Sequence, residues 1–138
     1  MQMRQTAALL FLTMALGGQA FAFDEPKNSS VAVEAKPLGQ NLQLAFKVSP
    51  RAGLHINLEG PWKLELKNAG GLAFAKTTLV RADMDEKLPG FVLTTTAKPA
   101  QVSGEVAYKL IAFVCTNDKT QCYRDVHTGK APWKVAAK

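Results

Sequence analysis

The sequence predicts an all-β domain built from antiparallel strands, and three observations favour this class. Apolar and polar residues alternate with a period of two in several short segments, most clearly from Leu42 to Val48. Residues that favour turns (Gly, Pro, Asn and Asp) separate these segments at intervals of about ten residues. No segment after Ala22 shows the period of an amphipathic helix.

The first 22 residues are typical of a secretory signal. Arg4 supplies a positive charge, Ala7 to Leu16 is largely apolar, and Ala20-Phe21-Ala22 is a cleavage motif of the A-x-A type. The apolar run of about ten residues is shorter than the roughly 20 residues that a transmembrane helix needs. We therefore expect an exported protein in which residues 1–22 are removed and residues 23–138 form one domain.

The composition of the chain argues against some classes of function. The chain carries a formal net charge of +6, but its basic residues are scattered and are not interleaved with aromatic residues. This pattern argues against nucleic-acid binding. No stretch after the signal is long and apolar enough to cross a membrane, so we expect no stable membrane insertion. The two cysteines of an exported chain predict a disulfide.

The first half of the mature chain contains four predicted strands, which follow a polar lead-in. Each shows alternating or short apolar patterns and ends at a turn signal such as Pro37, Gly53 or Gly60-Pro61. In the second of them, the even-numbered apolar residues are predicted to be buried. The four strands are Val31–Lys36, Asn41–Ser49, Leu54–Asn57 and Trp62–Lys67.

The second half contains a weaker strand, a polar loop, a further strand, a long hairpin and a short final strand. About seven to nine short strands in this arrangement predict an immunoglobulin-like antiparallel β-sandwich. In chain order these elements are the strand Leu72–Val80, the loop Arg81–Gly90, the strand Phe91–Ala97, the hairpin strands Gly104–Cys115 and Cys122–Asp125, and the strand Trp133–Val135.

The two cysteines flank the polar turn Thr116–Gln121 of the predicted hairpin. If the turn closes as a simple hairpin, Cys115 and Cys122 lie directly opposite each other, with Cα atoms about 4.5–5.5 Å apart. That separation is within the range of a disulfide. The residues Tyr123, Asp125 and His127 are then predicted to point to the face opposite the cysteines.

The spacing of the two cysteines is neither a thioredoxin-type Cys-x-x-Cys motif nor a zinc pattern. It therefore leaves two functions of the disulfide open, a structural bond and thiol–disulfide exchange. A structural bond across a loop of about eight residues would stabilise the fold by about 2.5 kcal/mol. Exchange chemistry is favoured by the polar turn, and by Lys119 and Arg124, which promote the thiolate form of a cysteine. The sequence leaves open which cysteine is attacked, and Arg124 gives a preference for the neighbouring Cys122 as the more activated sulfur.

A metal site would need a histidine beside the thiols. His127 is predicted on the wrong face of the hairpin, and His55 is a single histidine on a polar strand face. Soft-ligand metal sites usually show a denser cluster of ligands. We therefore predict no metal and no other cofactor.

Three stretches resemble the N-terminal periplasmic domain of the thiol:disulfide interchange protein DsbD. The first is Gly104–Cys115 followed by Cys122-Tyr123, and the second is Gly53–Asn57 followed by Trp62–Leu66. The third is the loop with Asp85, Glu86 and Gly90 ahead of the strand Phe91–Ala97. Together they extend over most of the chain from Val31 to Val135.

This resemblance implies an immunoglobulin-like domain of the periplasm that acts as a thiol:disulfide oxidoreductase of the electron-transfer type. Cys115 and Cys122 would be the exchanging pair, which accepts electrons from a membrane thiol reductase in trans and passes them to thioredoxin-like periplasmic proteins. The resemblance also implies that a loop shields the pair and that a neighbouring strand lines it. The shielding residues would be Asp85, Glu86, Leu88 and Phe91, and the lining residues His55 and Asn57.

The sequence also departs from the family pattern. Lys87 and Leu88 follow the Asp-Glu pair where the family has an aromatic residue, and the cysteines are one residue further apart. An alternative is therefore a non-enzymatic binding module of the periplasm whose disulfide is only structural.

Overall fold

The computed structural model describes residues 27–135, and within them the regular secondary structure is almost entirely β-strand. The predicted signal segment lies outside the described residues. The eight strands are β1 Ser29–Leu38, β2 Asn41–Pro50, β3 Leu54–Ile56, β4 Lys63–Asn68, β5 Thr78–Val80, β6 Gly90–Thr94, β7 Ser103–Thr116 and β8 Cys122–Lys134. A short 3-10 helix, Arg81–Asp83, follows β5. Between residues 27 and 135, no helix has the length and apolar character needed to span a membrane.

The strands form two antiparallel sheets. The first has the order β1-β2-β6. The second is organised around β7, which pairs with β8 along all 13 residues of that strand. Because β8 occupies one edge of β7 throughout, β3 and β4 share the other edge, β3 opposite Val114–Thr116 and β4 opposite Ala107–Ile111. β5 extends this sheet beyond β4.

The core lies between the two sheets. The predicted alternation in β2 is confirmed, since its four inward residues are at most 1% exposed, with Phe46 and Leu44 at 0%. They form one cluster with residues of the second sheet, including Leu64 of β4 and Leu110 of β7. Burial of apolar side chains from both sheets in one cluster is the arrangement that holds a sandwich together. The all-β sandwich is therefore confirmed, whereas the immunoglobulin-like topology stays a prediction.

Three predicted strands differ most from the observed ones. β1 continues through Pro37 to Leu38, and β8 continues through Pro132, so Trp133–Val135 is not a separate strand. Both prolines are tolerated because, among the described residues, β1 and β8 are edge strands, whose outer N–H groups have no ladder partner. The predicted strand Leu72–Val80 is reduced to Thr78–Val80, with only an isolated bridge from Phe74 to Thr95 ahead of it.

Candidate functional site

The predicted disulfide hairpin is present. Cys115 and Cys122 are directly paired in the register of β7 and β8, and their sulfur atoms are bonded. Their Cα atoms are 4.0 Å apart, somewhat closer than the predicted range. The rest of the register also follows the prediction, with Arg124 opposite Phe113 and therefore on the cysteine side of the hairpin.

The turn between the cysteines is closed by its own hydrogen bonds. The amide of Thr116 donates to the carbonyl of Gln121 at 2.9 Å. The carboxylate of Asp118 accepts from the hydroxyl of Thr116 at 2.6 Å and from the amide and hydroxyl of Thr120 at 3.1 and 2.8 Å. These hydrogen bonds, led by that of Thr116, lower the pKa of Asp118 to about 2. The turn is therefore closed by hydrogen bonds in addition to the disulfide.

The two cysteines differ strongly in exposure. Cys115 is only 4% exposed, whereas Cys122, at the end of the turn, is exposed to solvent. Access is one of the factors that select the sulfur attacked in thiol–disulfide exchange. By exposure of the residue, Cys122 is the more accessible of the two.

Both cysteines lie on the outer face of the second sheet, away from the core. Successive side chains of a strand point to opposite faces, and the neighbour of Cys115 in β7, Val114, is fully buried in the interior. On the other side of β7, His55 of β3 is paired directly with Cys115. His55, Cys115 and Cys122 therefore form one row across three strands, with their side chains on the same face.

A cavity of about 290 Å³ opens beside Cys115. Its wall includes His55 and Asn57 from β3 and the segment after it, and Lys119 from the hairpin turn. The backbone of Asn57 is anchored on both sides: its amide donates to the carbonyl of Phe113 at 2.9 Å, and its carbonyl accepts from the indole of Trp62 at 2.6 Å. Both predicted lining residues, His55 and Asn57, therefore lie in the wall of the cavity beside Cys115.

The segment between β3 and β4 is also held by packing that the sequence did not reveal. A Cβ atom at Gly60 would lie 2.4 Å from Cγ of Phe113, so the glycine lets this segment lie directly on the phenylalanine ring. The Phe113 ring also meets Trp62 edge to face at a centroid distance of 6.3 Å. The sequence predicted the turn at Gly60-Pro61 but did not show that its glycine is needed for close contact with the Phe113 ring.

The predicted shielding loop lies close to this segment but does not line the cavity. The side chain of Arg81 donates to the carbonyl of Leu58, which is part of the cavity wall, and pairs with Glu86 at 2.8 Å. Asp85 closes the loop by backbone hydrogen bonds with Gly90 and accepts the amide of Leu88 at 3.1 Å. Arg81 is the connection that sequence reasoning missed, because a cation in a polar loop carries no signal of its partner.

Of the four predicted shielding residues, none is among the residues that line the cavity. Phe91 is fully buried in the core between the sheets, where it is paired with Phe46 of β2. Asp85, Glu86 and Leu88 belong to the Arg81 loop described above. Shielding of the disulfide by this loop stays a prediction.

A buried polar cluster lies on the other face of the hairpin. The hydroxyl of Ser29 contacts Oδ2 of Asp125 at 2.5 Å and Nε2 of His127 at 2.8 Å, and the amide of Asn28 donates to the same Oδ2 at 2.9 Å. Burial lowers the pKa of His127, and the nearby carboxylate of Asp125 opposes this shift. The serine lies between the acid and the histidine, which is not the order of a catalytic triad.

Two further results complete the description of the site. Within residues 27–135, no group of three or more His, Cys, Asp or Glu side chains is arranged to hold a metal ion. No family model, no curated protein and no solved structure matches the chain. The fold and the site together define an all-β domain with a disulfide on the outer face of a long hairpin. Membership in the DsbD family stays a prediction from the sequence motifs.

Proposed function

We propose that this domain is a thiol–disulfide exchange protein of the periplasm, and that the Cys115–Cys122 pair carries the reducing equivalents. The observation that carries the proposal is the unequal exposure of the two cysteines, 4% for Cys115 against an exposed Cys122. One accessible sulfur and one protected sulfur are suited to stepwise exchange, because the partner attacks the first and the second leaves.

The hairpin has little need of the disulfide as a structural bond. β7 and β8 are paired along 13 residues, and the turn is closed by the hydrogen bonds of Thr116 and Asp118. A short loop also limits the stabilisation that the bond provides, to about 2.5 kcal/mol. A bond that closes a hairpin already held by other hydrogen bonds, and that lies beside an open cavity, supports exchange.

The proposed reaction transfers two electrons in two steps. A thiolate of the partner attacks Sγ of Cys122, the S–S bond breaks, and Sγ of Cys115 leaves with the electron pair, which gives a mixed disulfide. A second thiolate of the partner then attacks its own sulfur in the mixed disulfide and releases Cys122. The partner ends as a disulfide and this domain as a dithiol; in the reverse direction the domain reduces its next partner.

The resemblance to DsbD supports the choice of partners. Thioredoxin-like periplasmic proteins would receive the electrons, and a membrane thiol reductase would supply them in trans. Neither partner requires a cofactor in this domain, since the electrons travel in the sulfur–sulfur bond itself.

The reduction potential of the pair tests the proposal. Equilibration with glutathione or dithiothreitol buffers should give a value of roughly −180 to −270 mV, the range of exchanging thioredoxin-like proteins. A value below about −300 mV is that of a structural disulfide and would contradict the proposal.

Trapping of mixed disulfides provides a second test with an internal control. Cys115→Ser leaves the exposed Cys122 as the remaining thiol, and we expect it to accumulate a mixed disulfide with a thioredoxin-like protein. Cys122→Ser leaves the buried Cys115 and should trap far less. Equal trapping by the two variants would show that exposure does not select the attacked sulfur.

A binding module with a structural disulfide is the second candidate. It is favoured by a larger cavity of about 500 Å³ at the opposite end of the β7–β8 hairpin, lined by Pro37, Leu42, Val102 and Val135 among others. This candidate predicts that a variant lacking both cysteines keeps its fold and its partner. A potential below about −300 mV together with that result would favour binding over exchange.

A further inference from the structure

We infer that His55 donates a proton to the leaving thiolate of Cys115 during exchange. The inference rests on the proposed function, because it assigns a role within that reaction. It gives the histidine, which the sequence presented only as a residue lining the site, a defined chemical task.

The register places His55 directly opposite Cys115, the residue that carries the leaving sulfur. His55 and Cys115 are directly paired between β3 and β7, and their side chains share the outer face of the sheet. Directly opposed residues of antiparallel strands have Cβ atoms about 4.5–5.5 Å apart. Both residues also line the same cavity of about 290 Å³. His55 is exposed to solvent.

The protected position of Cys115 creates the need for such a group. When a partner attacks Cys122, the negative charge develops on a sulfur whose residue is only 4% exposed. Burial disfavours a thiolate, and a cation or a hydrogen-bond donor beside it offsets that cost. An imidazolium provides both, and imidazole is the side chain that ordinarily changes charge between pH 5 and 8.

Two other charged residues line the cavity with His55, namely Glu59 from the segment after β3 and Lys119 from the hairpin turn. Lysine and glutamate side chains ordinarily keep their charge between pH 5 and 8, so their influence on the leaving thiolate is constant over that range. On β7, the titratable group that faces His55 is Cys115 itself. A contribution to the exchange rate that changes between pH 5 and 8 therefore identifies the histidine.

The step is balanced in protons and electrons. The partner thiolate forms a bond to Sγ of Cys122, and the electron pair of the S–S bond moves to Sγ of Cys115. The imidazolium of His55 transfers its proton to that sulfur, which leaves a neutral imidazole and a Cys115 thiol. In the reverse direction the neutral imidazole accepts the proton as the disulfide re-forms.

The test is single-turnover reduction of the disulfide by excess dithiothreitol between pH 5 and 8. Each rate is divided by the thiolate fraction of dithiothreitol, so that the remaining pH dependence belongs to the protein. For the wild type, the corrected rate should rise as the pH falls and the imidazole becomes protonated. For His55→Gln, it should be independent of pH and about tenfold lower at pH 5.5.

Two variants serve as controls. Lys119→Gln should lower the corrected rate by the same factor at every pH, because it removes a constant charge. His127→Gln removes the other histidine of the sequence, which lies on the opposite face of the hairpin, and should leave the profile unchanged. Thermal unfolding of each oxidised variant confirms that the fold is retained.

The outcomes separate this inference from the proposed function. A wild-type disulfide that exchanges while His55→Gln keeps the same pH profile overturns the role of His55 and leaves exchange intact. An equal loss of rate at all pH values for His55→Gln also overturns it, since that indicates a structural effect. A wild-type disulfide with a potential below about −300 mV overturns both proposals.

Discussion

The two faces of the β7–β8 hairpin differ in what their buried residues do. On the inner face, Leu110 and Val114 pack into the core at 0% exposure, and Asp125 is 5% exposed within a cluster of hydrogen bonds. On the outer face, Cys115 is buried to a similar extent but lies beside an open cavity and is bonded to an exposed residue, Cys122. The same two strands provide both faces.

This difference shows that the burial of a residue does not by itself tell whether the residue serves the stability of the fold or the chemistry of a site. Asp125 accepts hydrogen bonds from Ser29 and Asn28, so its buried carboxyl group has partners within the fold. Cys115 has its covalent partner, Cys122, at the surface, and under the proposed function another molecule replaces that partner. We therefore expect changes on the inner face to affect stability most, and changes on the outer face to affect exchange most.

The largest expected effect is a difference in stability between alanine substitutions at two neighbouring residues that lie on opposite faces of the hairpin. Leu110→Ala removes a fully buried side chain that is paired with Leu64 of β4, and should destabilise the protein by about 3–4 kcal/mol. Ile111→Ala, on the outer face and half-buried, should cost about 1 kcal/mol. Urea unfolding of both variants measures the contrast, and equal losses would show that the outer face is as tightly packed as the core.

The second effect concerns the buried carboxylate. Asp125→Ala leaves the hydroxyl of Ser29 and the amide of Asn28 without their acceptor, and should cost about 3 kcal/mol. Arg124→Ala, one residue earlier and exposed, should change stability by no more than about 0.5 kcal/mol. Asp125→Asn keeps an acceptor oxygen and should lie between these values. A loss as small as that of Arg124→Ala would mean that the cluster does not stabilise the fold.

The third effect separates stability from exchange on the outer face. Replacing both Cys115 and Cys122 by serine should cost about 2–2.5 kcal/mol, because the closed loop is short. The variant should keep the fold, with the hydrogen bonds of the turn intact, and lose all thiol exchange. Circular dichroism and urea unfolding measure the first part. Failure of this variant to fold would show that the hairpin depends on the disulfide.

The smallest effect is a pH dependence from the inner face. Burial lowers the pKa of His127 in the folded protein below its ordinary value of 6.5. The unfolded chain therefore takes up a proton at higher pH than the folded one, so the stability that the neutral His127 provides is complete above about pH 6.5 and is lost as the pH falls below it. His127→Gln should remove this dependence and His55→Gln should not. Stability that rises on acidification would instead mean that attraction to Asp125 dominates.

Much of the fold and part of the site were predictable from the sequence. The alternation of Leu42 to Val48 located the core strand, and the turn between Cys115 and Cys122 set the hairpin register and hence the disulfide. Sequence reasoning missed the contact of Arg81 with Leu58 and the cluster of Ser29 with Asp125. It also ended β8 too early, because the tolerance of an edge strand for Pro132 depends on a neighbour that the local pattern does not show.

The sequence by itself determined where most of the strands lie and which residues of the hairpin oppose each other, since both depend on residues close together in the chain. Only the tertiary structure decided that Cys115 is covered while Cys122 is exposed, and that β3 brings His55 beside the buried sulfur. It alone also joined Ser29 to Asp125, which are 96 residues apart. The physical reason is that exposure and contacts between distant segments depend on how the strands are ordered within the sheets and how the sheets pack, which a local period of two does not specify.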